Sequence, residues 1–507
     1  MNRRNFIKLS SLALLPILSC QKSEKSDNIL DFDISFHSDM AVGHLVFESH
    51  NFPKGKTENV DYLIVGAGIA GLSIAWNLRE NNILLCELSD RIGGSSGSEN
   101  FEGEVFGQGA HYDLTYPKYF GEEAIELLEN LGVVKFNSLI DKWDFVDKKY
   151  LISPHRESQC FNGIDYYDEL LPEGKTMDEF FELMKPFIGN FMLPTRLIPA
   201  DYQHFNQISF YDFLKSSIDL SPEFKAAIDY HMRDDFGGTS EDVSAIAGLY
   251  YYANRGYLTS ETEIFSPPEG NYYFAHKLAT QLPENTIRLN HLVKKIRPVL
   301  KGFEVEVIDI KSKTIKTFQA NKVVYAGQKH ALQHIMPSQK KLFATNQYVP
   351  WLVINFVVES DLNENKFWQN EILSDHSSFL GFVDSAAQME KTKNRVLTAY
   401  YCFRMEDRKY LAALEENKED VVKNTIGIMA GYFKIPSEEF AGKIKKVFMK
   451  VMGHAMPLAS PGYLFNDRNL YRPHSKMVYA GVDNGRLPLF MEALDSGLMA
   501  KKYLKEG

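Results

Sequence analysis

Cysteine, basic charge and long apolar runs are all scarce in this 507-residue sequence. The four cysteines show no CxxC or Cys/His spacing, so we expect no zinc or other metal site. The cysteines that follow Cys20 are Cys86, Cys160 and Cys402, and no disulfide is predicted among them. The apolar run from Leu9 to Leu18 is too short to cross a bilayer, and no other run is long enough.

Acidic residues outnumber basic ones, with 66 Asp and Glu against 56 Lys and Arg and a net charge of −10 at pH 7. An acidic surface argues against a nucleic-acid partner and against electrostatic adhesion to a membrane. The hydrophobic content of 44% is that of a globular protein. The length exceeds one hydrophobic core, so we expect at least two domains.

The first twenty residues read as a targeting segment and not as part of the fold. Arg3 and Arg4 open a stretch that resembles the twin-arginine export signal, and the short apolar run follows it. The run ends in Ile17-Leu18-Ser19-Cys20, which resembles a lipobox with Cys20 as the acylated residue. The resemblance implies a periplasmic or cell-envelope lipoprotein held at the membrane through lipidated Cys20. The alternative is an ordinary N-terminal anchor or a small-residue cleavage site.

A strand, a glycine turn, a helix, a second strand and an acid follow one another between Tyr62 and Glu87. The turn reads Gly66-Ala67-Gly68-Ile69-Ala70-Gly71. In such a turn the first glycine permits the bend, the second admits a pyrophosphate, and the third allows the helix to pack on the strand. A carboxylate at the position of Glu87 accepts a hydrogen bond from a ribose hydroxyl. The pattern predicts a dinucleotide site; the alternative is a glycine-rich turn with no ligand.

The stretch Arg91-Ile92-Gly93-Gly94 selects among dinucleotides. It resembles the arginine and glycine doublet of flavin amine oxidases, phytoene desaturases and protoporphyrinogen oxidases. The resemblance implies FAD. That family often has an arginine directly after the doublet, where this chain has Ser95.

The C-terminal stretch resembles the last flavin motif of the same superfamily. Val478 to Asp483 reads as a strand ending in a glycine and an acid, and a helix follows from Glu492. By resemblance, Asp483 lies by the pyrophosphate or the ribityl hydroxyls, and Leu494 lies beneath the isoalloxazine. No cysteine lies between Asp483 and Gly497, so we expect non-covalent FAD.

Three further stretches resemble family segments that pass near the cofactor. They contain Gly109 and Ala110, Val293 at the adenine, and His454. The expected cofactor-binding residues are Gly66, Gly68, Ala70, Gly71, Glu87, Arg91, Gly93, Gly94, Gly109, Ala110, Val293, Gly481, Asp483 and Leu494. The candidate catalytic residues are His454, His111 and Tyr112. For these three the alternative is a packing or hydrogen-bonded structural role.

The remaining pattern predicts an α/β fold in which a Rossmann-like FAD-binding domain is interleaved with an α+β substrate domain. Helix-start signals at Thr176, Ser209 and Ser221 predict a helical insert, which in the family roofs the substrate. The predicted division is an export signal (1–19), a lipid-anchored tether and N-terminal segment (20–57), the FAD-binding domain (58–115, 266–335 and 466–507) and the substrate domain (116–265 and 336–465).

The resemblance implies an exported FAD-dependent oxidoreductase of the amine oxidase type. A hydride would pass from a substrate C–H to flavin N5, with an amine or polyamine as the favoured small-molecule substrate and dioxygen or a quinone as electron acceptor. Amine oxidases often carry a lysine on the strand that resembles Trp351–Ser360, and this chain has none there. That departure keeps open a desaturase or dehydrogenase of a polyene- or porphyrinogen-like substrate. A third alternative is an FAD-holding lipoprotein with a binding or assembly role.

Overall fold

The computed structural model describes residues 30–49, 51–111, 120–254, 264–362, 366–373, 378–389, 393–471 and 475–505. Arg3, Arg4, Cys20 and Tyr112, all singled out by the sequence, lie outside these residues. The chain divides into two compact units, Met1–Asp31 and Phe32–Gly507, and every strand and helix of the described residues belongs to the second unit.

The described residues form 21 strands and 14 α-helices. The strands are β1 (Asp33–Ser38), β2 (Lys54–Val65), β3 (Ile83–Cys86), β4 (Ser98–Phe101), β5 (Glu104–Gly107), β6 (Val134–Asn137), β7 (Lys142–Phe145), β8 (Leu151–Ile152), β9 (Ser158–Phe161), β10 (Tyr166–Tyr167), β11 (Ile264–Phe265), β12 (Ile287–Arg288), β13 (His291–Val299), β14 (Gly302–Asp309), β15 (Thr314–Tyr325), β16 (Tyr348–Val358), β17 (Gln369–Ile372), β18 (Phe379–Asp384), β19 (Arg395–Cys402), β20 (Ile444–Pro457) and β21 (Met477–Tyr479). The α-helices are α1 (Met40–His44), α2 (Ile69–Asn77), α3 (Glu122–Asn130), α4 (Lys175–Met184), α5 (Phe210–Lys215), α6 (Pro222–Phe236), α7 (Ala245–Asn254), α8 (Tyr272–Ala279), α9 (Lys329–Ile335), α10 (Ser385–Gln388), α11 (Arg408–Ala412), α12 (Lys418–Phe433), α13 (Ser437–Gly442) and α14 (Phe490–Lys505).

One sheet carries the glycine motif. Its order is β12-β3-β2-β15-β14-β13, and β21 also pairs with β15. The β2, β3, β12, β15 and β21 pairings are parallel, and β13, β14 and β15 form an antiparallel meander. The apolar runs at the ends of β2 and β15 are buried, as expected of parallel strands covered on both faces.

A second sheet of eight strands has the order β1-β20-β16-β19-β18-β17-β9-β10. Its central strands β16, β18 and β19 are buried along their whole length, and most of their residues are apolar. The edge strand β1 comes from the N-terminal segment that the sequence left unassigned, and it pairs in parallel with β20.

Two of the three predicted helix starts are confirmed. The Ser209 and Ser221 side chains accept hydrogen bonds from the Asp212 and Phe224 amides, and α6 ends at Gly237 in the left-handed conformation. At the third, the predicted helix is present as α4, but it begins at Lys175 with Gly174 as its N-cap, so the expectation that Thr176 caps it is wrong.

The fold class predicted from the sequence is confirmed: a Rossmann-like parallel sheet is combined with an α+β substrate region. Cys86, Cys160 and Cys402 are buried free thiols. Among the helices of the described residues, none is long and apolar enough to span a bilayer.

Candidate active site

The glycine turn leaves a helix N-terminus open to a ligand. Gly66 has φ +96°, and a Cβ there would lie 3.1 Å from the Gly327 amide nitrogen. A Cβ on Gly71 would lie 1.9 Å from the Gly66 carbonyl oxygen, so helix and strand pack this closely only because both residues are glycine. α2 begins with Gly68 as its N-cap, which has no side chain to bond the first-turn amides. Those amides can therefore bind a phosphate.

Glu87 follows β3 and lies beside the same turn. Its carboxylate is 7% exposed and accepts hydrogen bonds from the Ala67 amide at 2.6 Å and the Ser89 amide at 2.9 Å. Burial raises the pKa of Glu87, and the two amides oppose the shift. Each carboxylate oxygen keeps acceptor capacity, which suits a ribose hydroxyl.

Val293 lies close by in the chain path. The His291 amide donates to the Glu87 carbonyl at 2.7 Å, and the β13–β14 ladder is irregular between Val293 and Lys295. Val293 itself pairs with Val307, and the shift leaves Lys294 as the extra residue, so the ladder becomes irregular directly after Val293.

The glycine doublet forms the facing wall. The Gly93 amide donates to the Ala67 carbonyl at 2.8 Å, and a Cβ on Gly94 would lie 3.5 Å from Gly68 Cα. The two glycine segments thus come within contact distance of each other. Arg91, in contrast, is ion-paired with Asp90 at 2.9 Å and with Glu99.

The segment holding Gly109 and Ala110 continues this wall. The Ala110 amide donates to the Ser95 carbonyl at 2.8 Å, and a Cβ on Gly109 would lie 1.9 Å from the same oxygen. The Asn271 amide in turn donates to the Ala110 carbonyl at 3.2 Å. The doublet and this segment are therefore one continuous surface.

The C-terminal helix α14 packs on the other side of α2. Ser73 Oγ donates to the Leu494 carbonyl at 2.8 Å, and a Cβ on Gly497 would lie 2.5 Å from the Ala70 carbonyl oxygen. The Gly481 amide donates to Ser496 Oγ at 2.9 Å. The two motifs at opposite ends of the sequence are thus in direct contact.

Asp483 has partners that the sequence did not indicate. Its carboxylate accepts from the Lys329 amide at 2.7 Å, Lys329 Nζ at 2.8 Å and Tyr348 Oη at 3.0 Å. These donors fix the carboxylate at the start of α9 and β16.

The turn, the uncapped helix and the buried acid together fit an extended dinucleotide. Gly68 and Gly94 would border the pyrophosphate, and Glu87 would hold the ribose. Both glycines present backbone where a Cβ would intrude. The residues present fit FAD.

His111 is the first candidate catalytic residue. The residue is partly exposed, but among the described residues neither ring nitrogen has a hydrogen-bond partner, and both are enclosed. This burial lowers the pKa of His111 to about 4. The Asn271 side chain holds its backbone through the carbonyl at 3.3 Å. The imidazole is therefore neutral at neutral pH.

His454 lies among different partners. Its ring stacks on His330 with centroids 3.8 Å apart and 14° between the planes, and the Tyr348 ring meets it edge-on at 5.7 Å. Burial and the neighbouring His330 lower the pKa of His454 to about 3, and burial lowers that of His330 to about 4. Tyr348 connects this stacked pair to Asp483.

The sequence motifs do not indicate three polar residues of the site: Lys329, Tyr348 and Lys450, whose Nζ donates to the Gly94 carbonyl at 2.9 Å. The signal for Lys450 is a lone lysine in an otherwise apolar stretch of β20, opposite Val353 of β16. The signal for Lys329 is its position shortly after the end of β15, at the carboxyl edge of the sheet, where ligands bind in such folds.

A buried ionic cluster joins α14 to the helical insert. Arg486 pairs with Asp495 at 2.7 Å and with Glu492 at 3.3 Å, and Arg196 also reaches Asp495 at 2.9 Å. The Thr195 amide donates to Glu492 at 2.7 Å. The helix beneath the site is thereby fixed to the insert.

Residues 69–448, more than half of the chain, match the model of the family described as flavin containing amine oxidoreductase. Among solved structures, a putrescine oxidase variant is similar, with a TM-score of 0.62, 16% identity and coverage of 89% of this chain and 100% of that one. A putative protoporphyrinogen oxidase from an Exiguobacterium species has a TM-score of 0.59 and 13% identity, with coverage of 88% of this chain and 99% of that one. Cyclohexylamine oxidase from Brevibacterium oxydans has a TM-score of 0.59 and 14% identity, with coverage of 88% of this chain and 99% of that one. No curated protein sequence matches significantly.

Proposed function

The chain belongs to the flavin containing amine oxidoreductase family, and from that premise we propose that this FAD-dependent oxidoreductase oxidises a primary or secondary amine, including polyamines. Two of the structural neighbours are named as oxidases of amines, putrescine and cyclohexylamine. At this low identity the similarity shows only a shared fold. The proposed substrate class therefore rests on the site of this chain.

The observation that carries the proposal is the His330–His454 stack next to Tyr348. Both imidazoles are neutral at neutral pH because burial depresses their pKa values to about 4 and about 3. Neutral rings do not repel an alkylammonium ion, and a ring nitrogen can accept an N–H hydrogen bond from an amine. The pair thus suits the orientation of an amine.

Bound FAD would supply the hydride acceptor. Among the chain's own residues, Gly68 and Gly94 would leave room for the pyrophosphate, and Glu87 would accept a hydrogen bond from the ribose. His454 orients the substrate nitrogen and receives a hydrogen bond from it. The ring nitrogens of His111 are enclosed as well, and a polar contact made in such surroundings is stronger than in water.

The test is anaerobic mixing of the FAD-loaded protein with a panel of amines, including putrescine, spermidine and cyclohexylamine. Bleaching of the visible flavin absorbance by at least one amine is the expected result. If every amine leaves the flavin oxidised while dithionite reduces it, amine oxidation is wrong.

A second candidate is dehydrogenation of a hydrophobic polyene- or porphyrinogen-like substrate. β16, from Tyr348 to Val358, contains no lysine, and a putative protoporphyrinogen oxidase is among the structural neighbours. The same mixing experiment with protoporphyrinogen decides between the two, since bleaching by this compound and not by amines selects the second.

The proposed location follows from the N-terminal sequence. We propose twin-arginine export, which carries folded proteins with cofactor in place, and attachment through lipidated Cys20 at the cell envelope. Dioxygen or a membrane quinone would then reoxidise the flavin.

We also propose a division into two domains. The FAD-binding domain consists of 58–115, 266–335 and 466–507. The substrate domain consists of 116–265 and 336–465 and contains β16 to β20.

A further inference from the structure

Lys450 extends from the second sheet to the glycine doublet of the first. The residue is 8% exposed, and its Nζ donates to the Gly94 carbonyl at 2.9 Å. Gly94 lies against Gly68, the glycine that borders the pyrophosphate. The buried ammonium is therefore one peptide unit away from the turn that meets the phosphates.

Burial lowers the pKa of Lys450, and the charge of exposed Asp39 opposes this shift. The two other nearby acids are committed to other donors. Glu87 accepts from the Ala67 and Ser89 amides, and Glu99 pairs with Arg91 and with His37. A buried ammonium is stable only when its donors are satisfied. One carbonyl satisfies one of the three N–H donors of a lysine.

Gln108 brings a second donor to the same place. The residue is 1% exposed, and within the described residues its Nε2 has no hydrogen-bond partner. The backbone amide of Gln108 donates to the Gly97 carbonyl at 2.9 Å. A Cβ on Gly97 would lie 2.9 Å from Lys450 Nζ. The Gln108 backbone and Lys450 Nζ thus both lie at the Gly94–Gly97 turn, and both side chains retain N–H donors that an anionic acceptor could use.

We propose that Lys450, assisted by Gln108, binds the pyrophosphate of FAD where it passes the glycine doublet. Ser95, directly after the doublet, carries no charge, and Lys450 supplies a positive charge at this turn. The cation comes from β20 and not from the loop itself, so FAD connects the two sheets. The proposal rests on FAD binding and is independent of the substrate.

The experiment compares Lys450→Met, Lys450→Arg and the wild type after FAD is removed and added back. The control is Lys446→Met, because Lys446 lies on the same strand but pairs with exposed Asp33. The Kd values for FAD and for ADP, which shares the pyrophosphate but lacks the flavin, are measured by fluorescence and by competition. Lys450→Met is expected to weaken both ligands by the same ~10–100-fold, the range for a charge-assisted hydrogen bond. Lys450→Arg is expected to retain most of the affinity and Lys446→Met all of it.

Equal affinities in wild type and Lys450→Met would overturn the proposal, as would weakened FAD binding with unchanged ADP binding, which would place the lysine at the flavin ring. Melting of the apoproteins separates a structural role. If Lys450 faces the ligand, the Lys450→Met apoprotein should be at least as stable as the wild-type apoprotein, because a buried charge is removed. The substitution should then reduce only the rise in Tm that FAD causes. If Lys450→Met does not fold, Gln108→Leu replaces it in the experiment. This variant should lose FAD and ADP affinity in parallel, by a smaller factor. Unchanged affinity for both ligands would overturn the proposal.

Discussion

His454 of β20 stacks on His330 of α9 with their ring centroids 3.8 Å apart and their planes 14° from parallel. The contact joins the end of the second sheet to the helix that follows the Rossmann-like sheet. Tyr348 touches both rings and donates to Asp483, the acid of the C-terminal motif. The candidate catalytic histidine is thus connected to the cofactor motif through one tyrosine.

His454→Ala tests the role of this imidazole. We expect the variant to fold and keep its yellow colour but to reduce flavin ~2–10-fold more slowly, the loss expected when one hydrogen bond between neutral groups is removed. Rapid mixing measures the rate, and a melting curve measures stability. His334→Ala, also on α9, is the control and should leave the rate unchanged. A lower Tm with an unchanged reduction rate would show a structural histidine.

Acid should destabilise the protein through its buried histidines. Burial lowers the pKa of His111 and His330 to about 4 and that of His454 to about 3, from 6.5. Between pH 6.5 and these values the unfolded chain binds more protons than the folded one, so the free energy of unfolding falls as the pH falls through this window. Urea unfolding at stepped pH measures the slope. His111→Asn should make the slope shallower, whereas the exposed His204→Asn should not; equal slopes would contradict the prediction.

The cluster around Arg486 should contribute strongly to stability. Arg486 is buried between Asp495 and Glu492, so Arg486→Met leaves buried Glu492 without its cation, while Asp495 keeps only Arg196. We expect a loss of about 3–5 kcal/mol in the free energy of unfolding. Lys502→Met, which removes a surface pair with Glu123, should cost about 1 kcal/mol or less. Denaturant titration of both variants compares them, and similar small losses would mean that Arg486 is dispensable.

Local sequence patterns predicted the parts of the fold that depend on local physics. The turn from Gly66 to Gly71, the caps at Ser209 and Ser221 and the buried strand β16 each follow from residues that are neighbours in the chain. The N-cap predicted at Thr176 is wrong because the sequence pattern of a cap does not specify the conformation of the preceding turn. Gly174 takes the N-cap position instead.

Contacts between distant segments could not be predicted. Lys329 and Asp483 are 154 positions apart, and Lys450 and Gly94 are 356 apart. Their meeting depends on how the two sheets face each other, which no periodicity encodes. The resemblance named Asp483 and His454 as site residues, but their partners Lys329, Tyr348 and His330 emerged only from the three-dimensional arrangement.

Export and anchoring make separate predictions about the N-terminal sequence. Replacing both Arg3 and Arg4 with lysine should leave the protein in the cytoplasm, since the twin-arginine pathway reads this pair. Cys20→Ala should allow export but release the protein from the membrane fraction, because the lipid chain is lost. Cell fractionation with immunodetection measures both, and Cys86→Ala is the control for cysteine loss. Normal export of the double lysine variant would show that another pathway is used.

Gly68→Ala and Gly71→Ala should fail in different ways although they lie three residues apart. A Cβ on Gly68 meets nothing nearer than the Gly93 carbonyl oxygen at 3.9 Å, so the polypeptide accommodates it. The methyl group then occupies the space that a pyrophosphate needs, and the variant should be folded, as stable as the wild-type apoprotein, and colourless. A Cβ on Gly71 would lie 1.9 Å from the Gly66 carbonyl oxygen, so Gly71→Ala should force the backbone apart and cost about 1–3 kcal/mol or more even without FAD. Flavin content and apoprotein melting, measured on both variants, separate the two effects. A yellow Gly68→Ala protein would show that the pyrophosphate does not pass this glycine, and a Gly71→Ala protein with wild-type Tm would show that the helix can move away from the strand.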